Sequence, residues 1–165
     1  MKYSRTETLN LSDQIEQDLC LEYLNKLISD EGCSSPLPVF VNNEIVLNMD
    51  CVEADLANSN GRLKDKSMDS VFVIIDNNGA NAEILLVEFR FNYQSFRNLK
   101  RDKMLGKVSG SISALFPISN IHGKYIFVFE SSLKNQAISR LNRMNPRIPT
   151  DYIAMDINDL KSIYF

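Results

Sequence analysis

Glu88 and Arg90 stand two positions apart in ILLVEFRFNY, residues 84–93. The stretch reads as a buried β-strand, in which residues i and i+2 project from one face. One face of an apolar strand therefore carries an acid beside a base. A second strand reads over 70–75, SVFVII, and DNNGAN between them is a turn by composition. With the turn's midpoint between Asn78 and Gly79, Asp69 falls directly opposite Glu88, and opposed residues share a face. A slip of one residue would separate them. In this register Asp69, Glu88 and Arg90 meet near the strand ends. Two converging carboxylates make a hard, oxygen-rich site suited to Mg²⁺ or Mn²⁺. The backbone carbonyl of Phe89 is a natural third ligand. A neighbouring cation could steady charge developing on a phosphate.

The elements that must position these residues follow from hydrophobic period and turn chemistry. Both strands are apolar at odd and even positions, so both faces of their sheet need covering, most simply by helices. Residues 12–28 read as an amphipathic helix with Ser12 as N-cap and a stripe of Ile15, Leu19, Tyr23 and Leu27. Residues 39–47 read as a small hairpin about Asn42-Asn43 or one irregular strand, and MDCVEADLAN as a short helix. Residues 95–115 predict a long helix with Phe96, Leu99, Leu105, Val108, Ile112 and Leu115 as its stripe. Gly106 and Gly110 would let that helix approach the sheet closely. A strand over 124–129, a helix over 131–144 and a strand over 151–157 complete the series. The expectation is an α/β fold: one three-layer domain over 1–165, its mixed central sheet covered by helices.

An Asp at the start of one strand, then acid-x-base on the next, then a long helix and a further strand, resembles the core of the PD-(D/E)xK nuclease superfamily, the restriction-endonuclease-like fold. The resemblance covers roughly residues 50–130 and rests on Asp69 in KSMDSVF and on Glu88 and Arg90 in VEFRF. It implies a Mg²⁺-dependent nuclease with Asp69, Glu88 and the Phe89 carbonyl on the metal. An upstream helix often adds a Glu in that family. Glu53 is the first candidate, with Glu22 and Glu16 behind it. The chain departs from the pattern at Met68, where Pro is usual, and at Arg90, where Lys is usual. Lysine can shed a proton in a buried site, whereas arginine, with a pKa above ~12, effectively cannot. The leading expectation is therefore a nuclease-like domain with an altered or inactive site, acting as a protein- or nucleic-acid-binding module such as an immunity or regulatory protein. The alternatives are a Mg²⁺-dependent nuclease cleaving DNA or RNA, and a structural subunit with its last strands covered by a partner.

Charge is unevenly spread along the chain. Residues 1–60 hold three Lys/Arg against eleven Asp/Glu, and residues 61–165 hold fifteen against ten. The segment FRNLKRDKMLGK gathers Arg97, Lys100, Arg101, Lys103 and Lys107 against Asp102, a place for a phosphate backbone. Tyr93, Gln94 and Phe96 precede that helix, and Arg140, Arg143 and Arg147 follow 3/4 spacing farther on. Aromatic interleaving on the basic segment is weak, which does not favour an RNA-stacking platform. His122 is the single histidine, which argues against His-rich metal sites and a Ser-His or Cys-His pair. Cys20, Cys33 and Cys51 lack CxxC spacing and predict free thiols. The polar start MKYSRTETLN and the short apolar runs predict no signal peptide, no membrane span and a cytoplasmic protein.

Overall fold

The computed structural model describes residues 1–93 and 95–165. Gln94, which precedes the basic helix in sequence, lies outside the described residues. Strands β1 (Lys2–Tyr3), β2 (Leu21–Tyr23), β3 (Ile45–Asn48), β4 (Ser70–Ile75), β5 (Ala82–Arg90), β6 (Ile121–Phe129) and β7 (Tyr152–Asp156) form one sheet. Its order is β2-β3-β4-β5-β6-β7, and β1 pairs with the far half of β4. The first five strands meet their neighbours antiparallel, whereas β5, β6 and β7 run parallel. The parallel pairs require crossovers. These are helices α4 (Arg101–Ala114) and α5 (Lys134–Asn142).

Alternate positions of the central strands feed two separate cores, as an apolar run on both parities requires. Val71, Val73, Ile84, Leu86, Phe127 and Phe129 pack on one face, under α1 (Arg5–Gln14), α3 (Met49–Ser59), α4 and α5. Phe72, Ile74, Leu85, Val87, Ile126 and Val128 pack on the other, under α2 (Leu24–Asp30) and α6 (Ile157–Tyr164). The result is a three-layer α/β architecture. The chain's own α5 and α6 pack on the two faces of β7. Among the described residues, no helix is long and apolar enough to cross a membrane.

Several element boundaries differ from the sequence reading. The helix over 12–28 is two helices with a strand between them. Ser4, not Ser12, caps α1, and the chain turns at Glu16, whose φ is 56°. Leu19 and Tyr23, on the helical stripe of the sequence, are 99% and 53% exposed. Leu21–Tyr23 was free to pair with β3 because a short apolar stripe satisfies either period. The 39–47 hairpin is absent, and only Ile45–Asn48 is strand. The helix over 95–115 begins at Arg101, after a 3₁₀ turn at Phe96–Asn98. The last strand ends at Asp156, whose carboxylate forms a capping box that starts α6.

The thiol expectation is also corrected. Cys20 and Cys51 are joined in a disulfide with Cα atoms 5.4 Å apart, and Cys33 alone is free. The pairing spans 31 positions of sequence and exists because α3 packs beside the turn at Cys20. No spacing rule could have shown it.

Candidate active site

The β4–β5 register is the one read from the turn. Ser70 pairs with Val87 and Ile75 with Ala82, so the next position sets Asp69 against Glu88. Asp76 fixes the turn, accepting from the Ala80 N–H and the Asn81 amide, while Gly79 takes φ 68°. Asp69 is held from three sides. Its Oδ2 accepts the Phe89 N–H at 2.6 Å, its carbonyl accepts the Met49 N–H at 3.1 Å, and the preceding Met68 N–H donates to Ser111 Oγ at 2.7 Å. Glu88 follows Leu86 on the same face of β5, beside Phe127 of β6, and its side chain is 1% exposed.

A fourth residue completes the cluster. Lys107 Nζ donates to Glu88 Oε2 at 2.8 Å and to Asp69 Oδ1 at 3.2 Å. Arg90 Nη2 lies 2.6 Å from Glu88 Oε1, and its guanidinium sits 5.5 Å from the Tyr93 ring centroid. Two acids and two bases thus interlock at the end of β5. In sequence Lys107 belongs to the basic segment FRNLKRDKMLGK. The buried stripe of α4 is Met104, Val108 and Ser111, not Leu105 and Ile112. That rotation places Lys107 at i+3 from Met104, on the inward side. A lysine three positions after a core methionine was the signal to find it.

Burial and the Asp69 carboxylate push Glu88 up to about 8, against the pull of Arg90 and Lys107. Burial works against the Lys107 ammonium, but Glu88 and Asp69 outweigh it and hold it above the ordinary lysine value. Two further acids share this field. Burial raises half-buried Glu31, and Asp69 adds to the rise. Burial opposes ionisation of Asp50 too, but Ser67, Lys64 and Lys107 hold it below the usual carboxylate range. Asn92 Nδ2 donates to the Glu31 carbonyl at 2.9 Å, tying that loop to the end of β5. No sequence spacing linked Glu31 or Asp50 to Asp69.

The upstream candidates point elsewhere. Glu53 is buried but accepts from Arg62 at 2.5 and 3.1 Å and from the Asp65 N–H at 2.7 Å. Glu22 pairs with Lys26 at 2.5 Å, and Glu16 is exposed. Among the described residues, no three acidic, His or Cys side chains converge as a ready-made metal cluster. Arg97, Lys100 and Lys103 are exposed, and Arg101 Nε donates to the Arg147 carbonyl at 3.2 Å. Gly106 and Gly110 face the Lys66 segment leading into β4, not the sheet. A cleft lined by Ile138, Leu141, Ile148 and Tyr152 is largely apolar and shares no residue with the charged cluster.

No family model, curated protein or solved structure matches the chain, so the geometry carries the functional argument.

Proposed function

We propose that the chain is a metal-dependent phosphodiesterase of the PD-(D/E)xK type, in which Lys107 of α4 supplies the amine that Arg90 does not. One observation carries this reading: a single ammonium within hydrogen-bond distance of both Asp69 and Glu88. The donor set fits a hard cation. Mg²⁺ is commonly held by one or two carboxylates and keeps several waters, so Asp69 Oδ1, Glu88 and the Phe89 carbonyl suffice without Glu53. The ion would supply Lewis-acid polarisation of the phosphoryl oxygen. Arg90 offers a fork to the phosphate. Lys107 orients the attacking water; with the carboxylates engaged by the ion, the ammonium would first release its proton to solvent, and the free amine could then take the proton of the water. Burial around Glu88 strengthens each of these contacts.

A second reading keeps its own support. Arg90 already occupies Glu88 at 2.6 Å and Lys107 bridges Glu88 and Asp69, so both acids have partners without an ion. A silent domain that binds a protein or nucleic acid would look like this. Calorimetry with Mn²⁺, beside plasmid and RNA cleavage assays in Mg²⁺ and Mn²⁺, separates the two. Binding and cleavage by wild type, both lost in Glu88→Gln, support the phosphodiesterase. Absence of both in wild type overturns it and leaves the silent domain.

A further inference from the structure

Helix α5 buries Ala137 and Leu141, turns Gln136 and Ser139 outward, and sets half-buried Arg140 and its C-cap Arg143 on the same side, at i, i+3, i+4 and i+7. With Asn135 and the ring of Phe96, these residues line an open cleft. Arg143 is exposed. Arg140 Nη2 donates to the Leu99 carbonyl at 3.4 Å, while its buried Nε has no partner. The cleft is joined to the carboxylates by one row of side chains. Phe96 packs 5.7 Å from Phe129 and 6.0 Å from Tyr93, Tyr93 lies under Arg90, and Arg90 meets Glu88. The surrounding sequence is one-sided in charge: residues 91–150 hold ten Lys/Arg and two acids, Asp102 and Glu130.

We infer that this cleft receives a single-stranded nucleic acid and leads it to Arg90. Exposed Arg143 and half-buried Arg140, three positions apart, offer cations to a phosphate backbone. Amides such as Asn135 and Gln136 carry donors and acceptors for base edges, and the Phe96 ring offers a stacking face. A duplex hides base faces and most base edges, whereas a single strand presents both. The tertiary fold supplies the aromatic partner that the basic segment lacks in sequence. The inference rests on the phosphodiesterase reading only in where the strand leads.

The test is fluorescence anisotropy of short labelled oligonucleotides on the full chain in EDTA, as single-stranded DNA, single-stranded RNA and duplex, across a salt series. Single strands of at least one sugar type are expected to bind about ten-fold tighter than duplex. Phe96→Ala is expected to weaken them at least about five-fold. Phe96→Leu keeps the packing on Phe129 and should weaken them as well. Arg143→Gln should lower the salt slope by about 0.7, while Lys124→Ala, outside the cleft, should change nothing. Equal binding of duplex, indifference to Phe96→Leu and Arg143→Gln, or displacement by polyglutamate as efficient as by unlabelled strand would overturn the inference, even if wild type cleaves. Strand binding with these variant effects but without cleavage would leave the cleft standing and remove the phosphodiesterase.

Discussion

Lys107 and Glu88 meet at 2.8 Å across the gap between α4 and β5, nineteen positions apart in sequence. The contact places an amine where strand β5 itself offers only a guanidinium. Both groups are cationic, but only the amine can give up its proton, and only once a cation engages the carboxylates that now hold it above the ordinary lysine value. Their substitution therefore separates charge from proton transfer.

Lys107→Arg should keep the charge balance with Glu88 and Asp69 and lose phosphodiesterase activity by about 10²-fold or more. Lys107→Met should lose activity equally and also destabilise the fold by about 1–3 kcal/mol, because Asp69 Oδ1 and Glu88 Oε2 then lose their shared buried donor. Rates against a labelled oligonucleotide, beside urea denaturation, check both. Full activity in Lys107→Arg would remove the amine from the chemistry.

The α4 glycines should behave oppositely. A Cβ on Gly110 would collide with the Lys66 backbone carbonyl, whereas one on Gly106 would meet only the Lys66 side chain at 3.6 Å. Gly110→Ala should therefore cost about 1–3 kcal/mol and loosen the Met68–Ser111 bond that precedes Asp69. Gly106→Ala should be neutral or gain up to ~1 kcal/mol from helix propensity. Chemical denaturation of the two variants tests this. Equal effects would mean that the close approach at Gly110 is not a constraint.

The part of the site that depends on period and turn chemistry was legible in sequence. A strict two-residue alternation and the DNNGAN turn set Asp69 against Glu88 without knowledge of any other element. The both-face apolar strands likewise forced two helical layers. What failed were positions fixed by packing between distant segments. The orientation of α4 about its axis depends on Lys66 and Met68 resting against Gly110 and Ser111. A misjudged rotation moved Lys107 from the site to the surface. Glu53 looked available because its neighbour in space, Arg62, lies in a loop with no periodic signal. Leu19 and Tyr23 fell on a helical stripe by coincidence and ended in a turn and an edge strand.

The disulfide between Cys20 and Cys51 closes 31 positions of chain and ties the turn before β2 to the first turn of α3. Loop-closure entropy assigns such a link roughly 3–4 kcal/mol, on the order of 10 °C in melting temperature. Alkylation without reductant should label Cys33 alone, and Cys20→Ala/Cys51→Ala should melt lower by about that amount. Labelling of all three cysteines in the oxidised, folded protein would refute the pairing.

The Glu88 carboxyl predicts an unusual pH profile. It is pushed up to about 8 from an ordinary value of 4.5, first by burial and then by Asp69. In the window between those values the folded state keeps a proton that the unfolded chain has lost, so stability falls as pH rises. The contribution is complete below pH 4.5 and gone above about 8, with a slope of at most about 1.4 kcal/mol per pH unit between. Lys107, raised above 10.5, adds nothing to this window, since its contribution disappears only at higher pH. Glu31 is raised in the same direction, but it is present in both proteins when wild type is compared with Glu88→Gln. The amide mimics the protonated acid and does not titrate. Measured by urea denaturation, the two proteins should be similar near pH 5, and Glu88→Gln should become progressively the more stable up to about pH 8. Parallel profiles, or a wild type that gains on the variant with rising pH, would mean that Lys107 and Arg90 hold Glu88 ionised throughout.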